Sequence, residues 1–395
     1  MKRVCPISLA AVLLISLISL SCISWEIPFT EPAWSNTFGG SGGDYGLAVQ
    51  QTSDGGYIIT GSTDSYGAGN DDVWLIKTDS SGNETWNKTF GGSDSDSGYS
   101  VAQTSDGGYI ITGYTASYGA GGDDVWLIKT DSSGDLSWNK TFGGPDVDHG
   151  YSIQQTSDGG YIIAGWTYSY GAGGDDVWLI KTDSSGDLSW NKTFGGSDSD
   201  FGSSVQQTSD GGYIIAASTE SYGAGDDDVW LIKTDSSGDL SWNKTFGGSD
   251  ADGGTSVRQT SDGGYIIIGD TFSYGNGNRD AWLIKTDSSG NKAWDKTFGS
   301  SGVDSGNWVQ QTSDGGYIIC DSHGDSPDPS GDSYDVKLIK TDSLGNETWG
   351  EYFGGSDFDW GNAVQQTSDA GYIIAGFTRS YGAGSYDVWL VKVAV

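Results

Sequence analysis

The sequence predicts an all-β fold, a seven-bladed β-propeller of four-stranded antiparallel blades. The first observation behind this prediction is a repeated hexapeptide, T-S-D-G-G-Y, which returns once as T-S-D-A-G-Y. Its copies begin at Thr52, Thr104, Thr156, Thr208, Thr260, Thr312 and Thr367. The spacing is 52 residues five times (104 − 52) and 55 residues once (367 − 312). Repeats of this period are typical of propellers, and the alternative, a β-solenoid, usually has much shorter rungs.

The second observation is that each copy contains four runs of strand-forming residues separated by turn signals. In residues 98–142 these runs are Tyr99–Thr104, Tyr109–Thr115, Asp124–Thr130 and Leu136–Phe142. The intervening Asp-Gly-Gly and Asp-Ser-Ser-Gly sequences are typical of hairpin turns, because Asp bonds to turn backbone and Gly accepts positive φ. We therefore expect antiparallel units of four strands, and the chain shows no helical periodicity.

The third observation is that the two middle runs carry bulky apolar residues on both strand faces. YIITGYT has such residues at consecutive positions, and DVWLIKT has them at both odd and even positions, which point to opposite faces of a strand. Both faces of each sheet must therefore be buried, which radial stacking of blades achieves. The 65 glycines and only 6 prolines fit a turn-rich fold rather than a disordered chain.

The two ends of the repeat region predict how the ring closes. Ala33–Phe38 (AWSNTF) matches the fourth run of a unit, whereas Asp387–Val393 (DVWLVKV) matches the third. Each end supplies the kind of strand that the other end lacks. We expect Trp34–Phe38 to be the outermost strand of the last blade, so that residues 25–395 form a single propeller domain without an incomplete blade.

Residues 1–24 have the features of a secretory signal peptide or a lipoprotein or membrane anchor. Lys2 and Arg3 precede an uncharged, largely apolar segment, and small residues flank Leu20 just before Cys22. The segment is similar to a lipoprotein signal, although Ser19 stands where such signals usually have Leu. We expect a secreted or cell-surface protein, with lipid attachment at Cys22 or an uncleaved anchor helix as the alternatives to simple cleavage. No disulfide framework is expected, because Cys320 is the sole cysteine after Cys22.

The charge of the chain excludes some classes of partner. The formal net charge is −34 at pH 7, which disfavours nucleic acid and anionic lipid surfaces. Contact with a membrane is therefore expected only through the N-terminal anchor, and we expect a monomer. Cations, calcium-bridged polymers and neutral glycans remain compatible with the charge, which also keeps an exported protein soluble.

The order of motifs within one repeat also resembles that of a known family. The order G-Y-S-V, G-G-Y-I-I-T-G, D-V-W-L-I-K-T-D and W within residues 98–138 resembles kelch-type propeller repeats. It is more similar to the propeller repeats of secreted and cell-surface proteins of bacteria and methanogenic archaea. The glycine pair precedes the second strand here, as at Gly107 and Gly108, whereas kelch repeats place it after that strand. The resemblance implies the fold, surface display and binding, but it implies no substrate.

The crossings between units carry paired acids, which suggest calcium as a candidate cation. One aspartate is present in every copy: Asp44, Asp96, Asp148, Asp200, Asp252, Asp304 and Asp359. A second acid stands two residues earlier in five copies: Asp94, Asp146, Asp198, Asp250 and Asp357. Carboxylates at this spacing before Gly are similar to the start of a calcium-binding loop. The alternative is that the invariant aspartate fixes the crossing by accepting backbone N–H bonds.

The residues that vary between copies are the candidate ligand-binding residues. They follow the invariant aspartate or lie at and beyond the end of the second strand, which should place them on one face of the ring. They are Tyr45, His149, Phe201, Trp360, Tyr114, Trp166, Tyr168, Phe272, Phe377 and Arg379. Aromatic rings beside carboxylates suit glycans and suit protein partners equally well. The repeated S-Y-G tyrosines are instead expected to pack between blades.

One unit contains an insertion that sets it apart from the other six. Residues 320–335 read CDSHGDSPDPSGDSYD, which makes this second-to-third-strand loop longer than its counterparts. Asp321, Asp325, Asp328 and Asp332 could converge there on a cation such as calcium, with His323 nearby. The alternative is a solvated acidic loop without a ligand.

Catalysis has little support in the sequence, and we assign no catalytic residues or resident cofactor. The only two histidines, His149 and His323, lie three units apart, which disfavours a histidine-based metal centre or a catalytic triad. The leading interpretation is an exported binding module for a glycan or a surface protein. The alternatives are a hydrolase or lyase acting on polysaccharide through the same face, and a structural envelope protein.

Overall fold

A computed structural model describes residues 32–276, 278–324 and 334–394. These residues form strands joined by turns and loops, grouped in seven four-stranded antiparallel sheets. Blades one to four contain β2 (Asp44–Gln51), β3 (Tyr57–Thr63), β4 (Asp72–Thr78), β5 (Glu84–Phe90), β6 (Asp96–Gln103), β7 (Tyr109–Thr115), β8 (Asp124–Thr130), β9 (Leu136–Phe142), β10 (Asp148–Gln155), β11 (Tyr161–Thr167), β12 (Asp176–Thr182), β13 (Leu188–Phe194), β14 (Asp200–Gln207), β15 (Tyr213–Thr219), β16 (Asp228–Thr234) and β17 (Leu240–Phe246).

Blades five to seven contain the remaining strands, including the N-terminal one. They are β18 (Asp252–Gln259), β19 (Tyr265–Thr271), β20 (Asp280–Thr286), β21 (Lys292–Phe298), β22 (Asp304–Gln311), β23 (Tyr317–His323), β24 (Asp335–Thr341), β25 (Glu347–Phe353), β26 (Asp359–Gln366), β27 (Tyr372–Thr378), β28 (Asp387–Val393) and β1 (Pro32–Phe38). The predicted seven-bladed propeller is therefore confirmed. The predicted signal or anchor, residues 1–24, lies outside the described residues.

The ring closes as the sequence predicts. Strand β1 is the outermost strand of blade seven and pairs antiparallel with β28, with Trp34 opposite Lys392 and Phe38 opposite Val388. The N-terminal strand thus completes the sheet that the C-terminal strand would otherwise leave with an open edge.

The strand boundaries differ from the prediction mainly at the first strand of each blade. In blade two the last three strands have the predicted limits, but β6 begins at Asp96 rather than at Tyr99. Asp96 already pairs with Thr115, and Ser97 pairs with Tyr114. The invariant aspartate of the crossing is therefore the first residue of the strand ladder.

The core consists of apolar layers between neighbouring blades. Between blades one and two, Ile58 and Leu75 pack with Tyr109 and Trp126, and corresponding layers lie at the other six blade contacts. This packing explains why strands such as β4 are buried along their whole length. Each fully buried aliphatic side chain contributes about 1.5–3 kcal/mol, so stability is distributed around the ring.

Polar bonds also join each blade to the next. The Ser53 N–H donates to Oε1 of Gln103 at 2.8 Å, and the equivalent bond recurs around the ring until Ser368 donates to Gln51. A second set runs from the Gln103 N–H to Oε1 of Gln50 at 2.6 Å. These glutamine side chains fix the angular position of each blade relative to its neighbour.

Candidate functional site

Strand pairing defines two faces of the ring. Asp44, Thr63 and Asp72 lie opposite one another, so the crossings between blades and the loops after the second strands share one face, which we call the crossing face. The T-S-D-G and D-S-S-G turns lie on the other, the turn face. Every variable residue predicted to bind ligand therefore lies at or near the crossing face.

The invariant aspartates lie beneath the crossing face as structural acceptors. In blade one the Thr63 hydroxyl donates to Asp44 Oδ1, while the Ser65 hydroxyl and the Gly40 N–H donate to Oδ2 at 2.6 and 2.8 Å. The Asp44 N–H in turn donates to the Tyr386 carbonyl of blade seven at 2.9 Å. This geometry agrees with the alternative in which the invariant aspartate fixes the crossing.

The same arrangement bears on the predicted calcium sites. Asp96, Asp148, Asp200 and Asp252 are buried and accept equivalent bonds, whereas Asp94, Asp146, Asp198 and Asp250 are exposed. In the described ranges, only one group of acidic or histidine ligands converges, and it contains none of these pairs. Calcium binding at the crossings stays a prediction.

Four of the predicted ligand-binding residues come together in blades two to four. With two tyrosines from the first strands they form what we call the histidine cluster: Tyr99, Tyr114, His149, Tyr151, Trp166 and Phe201. The His149 ring stacks on Tyr114 at 4.4 Å between centroids and tilts against Trp166 at 4.6 Å. Trp166 also meets Phe201 edge to face at 5.7 Å. The rings are half-buried, so the cluster presents an aromatic surface held by its own contacts.

Electrostatics at the centre of the histidine cluster keep the imidazole neutral. Burial lowers the pKa of His149, and this effect exceeds the opposing influence of Asp123. Nε2 of His149 lies 3.0 Å from Oδ2 of Asp123, so the neutral ring donates its hydrogen to that carboxylate. Within the described part of the chain, Nδ1 of His149 is buried and has no hydrogen-bond partner.

Three more predicted residues come together where blades six, seven and one meet. With three neighbours they form what we call the phenylalanine cluster: Tyr45, Tyr334, Phe358, Trp360, Phe377 and Tyr386. Phe358 stacks on Trp360 at 5.7 Å, and Phe377 meets Tyr45 edge to face at 5.0 Å. Burial, then Tyr386 and nearby aspartates, raise the pKa of Tyr45, so its hydroxyl remains a donor at neutral pH.

The other predicted residues are not members of the two clusters. Arg379 extends beside the phenylalanine cluster, with its guanidinium carbon 5.9 Å from the Tyr386 ring centre. Tyr168 and Phe272 are 56% and 46% exposed on separate loops. The expectation that the repeated S-Y-G tyrosines pack between blades is wrong: Tyr66 is 47% exposed, packs on Trp74 of its own blade and donates its hydroxyl hydrogen to the Gly39 carbonyl at 2.9 Å.

The sequence interpretation missed five residues of the two clusters: Tyr99, Tyr151, Tyr334, Phe358 and Tyr386. Tyr334 and Tyr386 immediately precede the third strand, where other copies have Asp71, Asp123 or Arg279. The variation among the seven copies at the residue before the third strand is the signal that identifies Tyr334 and Tyr386. Tyr99 and Tyr151 lie in first strands, where the alternation of the strand gave no signal for ligand contact.

The crossing face is acidic around the histidine cluster. Its loops in blades one to four contribute Asp64, Asp71, Asp94, Asp123, Asp146, Asp175, Asp198, Glu220, Asp226 and Asp227. In the described loops of this face, the basic residues are Arg279 and Arg379, which belong to blades five and seven. The face therefore combines aromatic surface with negative potential on one side of the ring.

The cavity on the ring axis is smaller than a typical small-molecule site. The cavity on the axis has a volume of about 220 Å³ and is lined by first-strand residues of all seven blades. Arg258 fills part of it, with its guanidinium carbon 4.4 Å from the Trp308 ring centre. Burial lowers the pKa of Arg258 to about 10, so the side chain remains charged at neutral pH. Sites for small molecules usually exceed about 300 Å³.

The predicted insertion residues divide into two sets. Asp325, Asp328 and Asp332 lie outside the described residues. The expectation that Asp321 lies in the insertion loop is wrong, because β23 continues through His323 and places Asp321 inside the strand with no exposed surface. Asp321, His323 and Asp304 form the one converging group of candidate metal ligands in the described residues.

Together, the sheets, the closure and the crossing face define a seven-bladed β-propeller. No protein-family model matches the chain, and no curated protein sequence matches it. Solved structures are similar in fold: the WD40 domain of Pan2 from Neurospora crassa has a TM-score of 0.55 at 9% identity, covering 92% of this chain and 97% of that one. YCF48 bound to D1 peptide has a TM-score of 0.51 at 10% identity, covering 93% and 98% of the two chains.

BBS1N in complex with ARL6DN is similar at a TM-score of 0.52 and 9% identity, covering 92% of this chain and 96% of that one. These similarities show the propeller fold, and the kelch-type assignment stays an expectation from the sequence. In residues 32–276, 278–324 and 334–394, no helix has the length and apolarity needed to cross a lipid bilayer.

Proposed function

We propose that the chain is a binding module whose crossing face takes an extended polypeptide segment of a partner protein. The observation that carries this proposal is the histidine cluster, in which His149 stacks on Tyr114 and packs against Trp166 at the crossing face. Half-buried aromatic rings fixed by mutual contact lose little conformational freedom on binding, and such residues dominate the energetics of protein interfaces.

The charges around the cluster indicate the chemistry of the segment. Asp123 lies beside His149, and Asp71 and Asp123 both raise the pKa of Tyr114 after the larger effect of burial. A segment with Lys or Arg side chains would meet these carboxylates, while its apolar residues would pack on the rings. Complementary charge of this kind steers association and selects among partners.

The similar structures support the same choice of ligand class. The YCF48 structure is bound to a D1 peptide, and the BBS1N structure is a complex with ARL6DN. Chains of this fold can thus bind a peptide or a protein, which is compatible with the open crossing face described above. Export to the cell surface, with or without lipid at Cys22, remains part of the proposal and rests on the pattern of residues 1–24.

A glycan is the second candidate ligand, and the neighbourhood of rings and carboxylates favours it. The Trp166 and Tyr114 rings could stack on the C–H face of a sugar, and Asp123 could accept hydroxyl hydrogens. The two candidates differ in salt dependence, because attraction between Asp residues and a cationic peptide weakens at high salt whereas sugar stacking persists.

The experiment is a parallel screen of a combinatorial peptide library and a glycan array, followed by affinity measurement for the hits. Trp166→Ala and Tyr114→Ala should each weaken binding about tenfold or more, which corresponds to about 1.4 kcal/mol. The matched controls are Tyr168→Ala and Phe272→Ala, which remove exposed rings outside the cluster. Binding that is unchanged in the cluster variants, or equally weakened in the controls, would show that the cluster is not the site.

A further inference from the structure

Blade six departs from the other six blades in one small region of its sheet. Asp321 stands where the others have Gly61, Gly113, Gly165, Ala217, Gly269 or Gly376. His323 replaces a threonine that is present in every other blade, and Lys337 replaces a tryptophan. Strand pairing places Asp321 opposite Lys337 and His323 opposite Asp304, so these exchanges lie side by side on one sheet face.

The position of Asp321 is one at which a side chain is hard to place. A Cβ atom at the equivalent Gly61 would lie 1.7 Å from the Tyr45 carbonyl oxygen, so the neighbouring strand must shift to admit one. Asp321 nevertheless has no exposed surface, and it therefore carries its carboxylate into the interior of the blade. Sequence change confined to a surface loop without function would not require an aspartate in place of a glycine inside the preceding strand.

Three ligand atoms converge at this point. Asp304, Asp321 and His323 are all buried, and one oxygen or nitrogen atom from each lies within 4.8 Å of the others. Nδ1 of His323 pairs with Oδ1 of Asp304, while the Ser300 N–H donates to Oδ2 of Asp304 at 2.9 Å. His323 thus takes the place of the threonine hydroxyl that meets the invariant aspartate in other blades.

The carboxylate of Asp321 is not satisfied by its protein neighbours. Among the described residues, no donor lies at full hydrogen-bonding geometry to either of its buried oxygens, and the Ser305 N–H lies close enough only to lower the pKa of Asp321 by the smallest of the effects acting on it. Burial raises the pKa of Asp321 well above 3.8, and Asp304 adds to the increase, while Lys337 acts in the opposite direction. A buried carboxylate without a well-aligned donor is strongly unfavourable unless a proton or a cation compensates its charge.

We propose that Asp304, Asp321 and His323 form a binding site for one divalent transition-metal cation, with Zn²⁺ as the best fit. One imidazole and two carboxylates are a ligand set that zinc accepts, with water completing its coordination. Calcium fits less well, because it prefers six to eight oxygen ligands. The two charges of the cation would offset the repulsion between the Asp321 and Asp304 carboxylates, which the Lys337 ammonium offsets only in part.

This site is separate from the aromatic surface of the proposed function. It joins the start of β22 to the end of β23, immediately before the insertion in blade six. A cation held there would clamp the first two strands of the blade at the crossing face. The other blades lack the Asp and His exchanges, so the proposal assigns one cation to the whole ring.

The test uses the full purified chain, stripped with a chelator and titrated with ZnCl₂ or CaCl₂. We expect one equivalent of zinc to bind and to raise Tm, and we expect calcium at the same concentration to leave Tm unchanged. With CoCl₂ the parent should show the visible d–d absorption of a coordinated cobalt ion. A parent chain that retains no zinc and shows no Tm increase would overturn the proposal.

Two kinds of variant test the ligands. Asp321→Gly with His323→Thr restores the residues of the other blades, so this variant should fold while losing the bound zinc equivalent and the zinc-dependent Tm increase. Asp321→Asn keeps the shape of the side chain and should also lose the bound zinc and the zinc-dependent Tm increase. It therefore tests the same ligand even if the double variant does not fold. Asp146→Asn with Asp198→Asn is the matched control and should keep them. Zinc retained in the Asp321 variants would refute the site, and the cysteines shared by all variants cannot explain a difference.

Discussion

The imidazole of His149 lies ring to ring against the phenol of Tyr114, with centroids 4.4 Å apart and planes within 11° of parallel. The two residues come from neighbouring blades, since His149 lies in β10 and Tyr114 in β7. The aromatic surface is therefore assembled by the stacking of blades and not by any single loop. Its shape depends on the angle that the glutamine bonds and apolar layers impose between blades two and three.

Removing the closing strand should destabilise the whole ring. Deletion of residues 25–38 removes β1 and exposes the edge of β28, so we expect the free energy of unfolding to fall by several kcal/mol and aggregation to increase. Thermal unfolding and light scattering measure both effects. The matched control is a deletion that ends at residue 31 and leaves β1 intact. Equal Tm values for the two deletions would contradict the role of β1.

The invariant aspartates should matter more for stability than their exposed neighbours. Asp200→Ala removes the acceptor for the Thr219 and Ser221 hydroxyls and for the Gly196 N–H. We expect a loss of about 2–4 kcal/mol, because these donors are left unsatisfied at the crossing. Denaturant unfolding should show less than about 0.5 kcal/mol for Asp198→Ala, which changes an exposed side chain. Similar losses in the two variants would argue against the structural assignment.

The turn face should make the fold sensitive to acid. Burial acts to raise the pKa of Asp106, but bonds from the Thr104 hydroxyl, the Lys129 ammonium and the Gly108 N–H outweigh it and lower the pKa from 3.8 to about 2. The same shift to about 2 recurs at Asp54, Asp158, Asp210, Asp262 and Asp314.

Because the folded-state pKa lies below the unfolded value, these carboxylates stabilise the fold fully above about pH 4. This stability is lost as the pH falls through about 2. We expect Tm to decrease across that window, and Asp106→Asn to reduce the decrease. Because five other aspartates share the shift, the decisive variant replaces all six by Asn, and a decrease as large as that of the parent in this variant would show that another group is responsible.

One missing glutamine bond offers a stabilising substitution. The Gln103 N–H donates to Gln50, and the Gln207 N–H donates to Gln154, but Ala102 has no side-chain acceptor to offer Gln155 of the next blade. Ala102→Gln should therefore raise the free energy of unfolding by about 1 kcal/mol. Ala102→Met supplies a side chain of similar length without a carbonyl. If Ala102→Met stabilises equally, packing and not the hydrogen bond is the cause.

The repeat period and strand patterning were sufficient to predict the fold. The spacing of the hexapeptide, the turn sequences and the match between Ala33–Phe38 and the fourth run led to the observed sheets and to the pairing of β1 with β28. Local signals suffice here because each blade repeats the same hydrophobic pattern. A strand that is ambiguous in one copy can therefore be assigned from the equivalent residues of the other copies.

The candidate site was only partly predictable because it depends on distances between blades. Variation between copies identified Tyr114, His149 and Trp166, but not that Tyr99 and Tyr151 stack on each other at 4.6 Å beside them. The acidic sequence that follows Asp321 predicts a loop at that position. The register of Asp321 with Gly113 and Gly165 shows that it is a strand residue, and only the pairing of β22 with β23 places it beside Asp304.

The join between β1 and β28 has an evolutionary consequence, because it lies inside one blade and not between two. Recombination between near-identical gene segments could add or delete a whole 52-residue cassette without touching this join. The pairing of β1 with β28 would be the same for any number of blades. The number of blades would therefore be limited only by whether the ring can close at the new curvature. The same exchange would remove the differences between cassettes, so it would return Gly and Thr to the positions that Asp321 and His323 occupy.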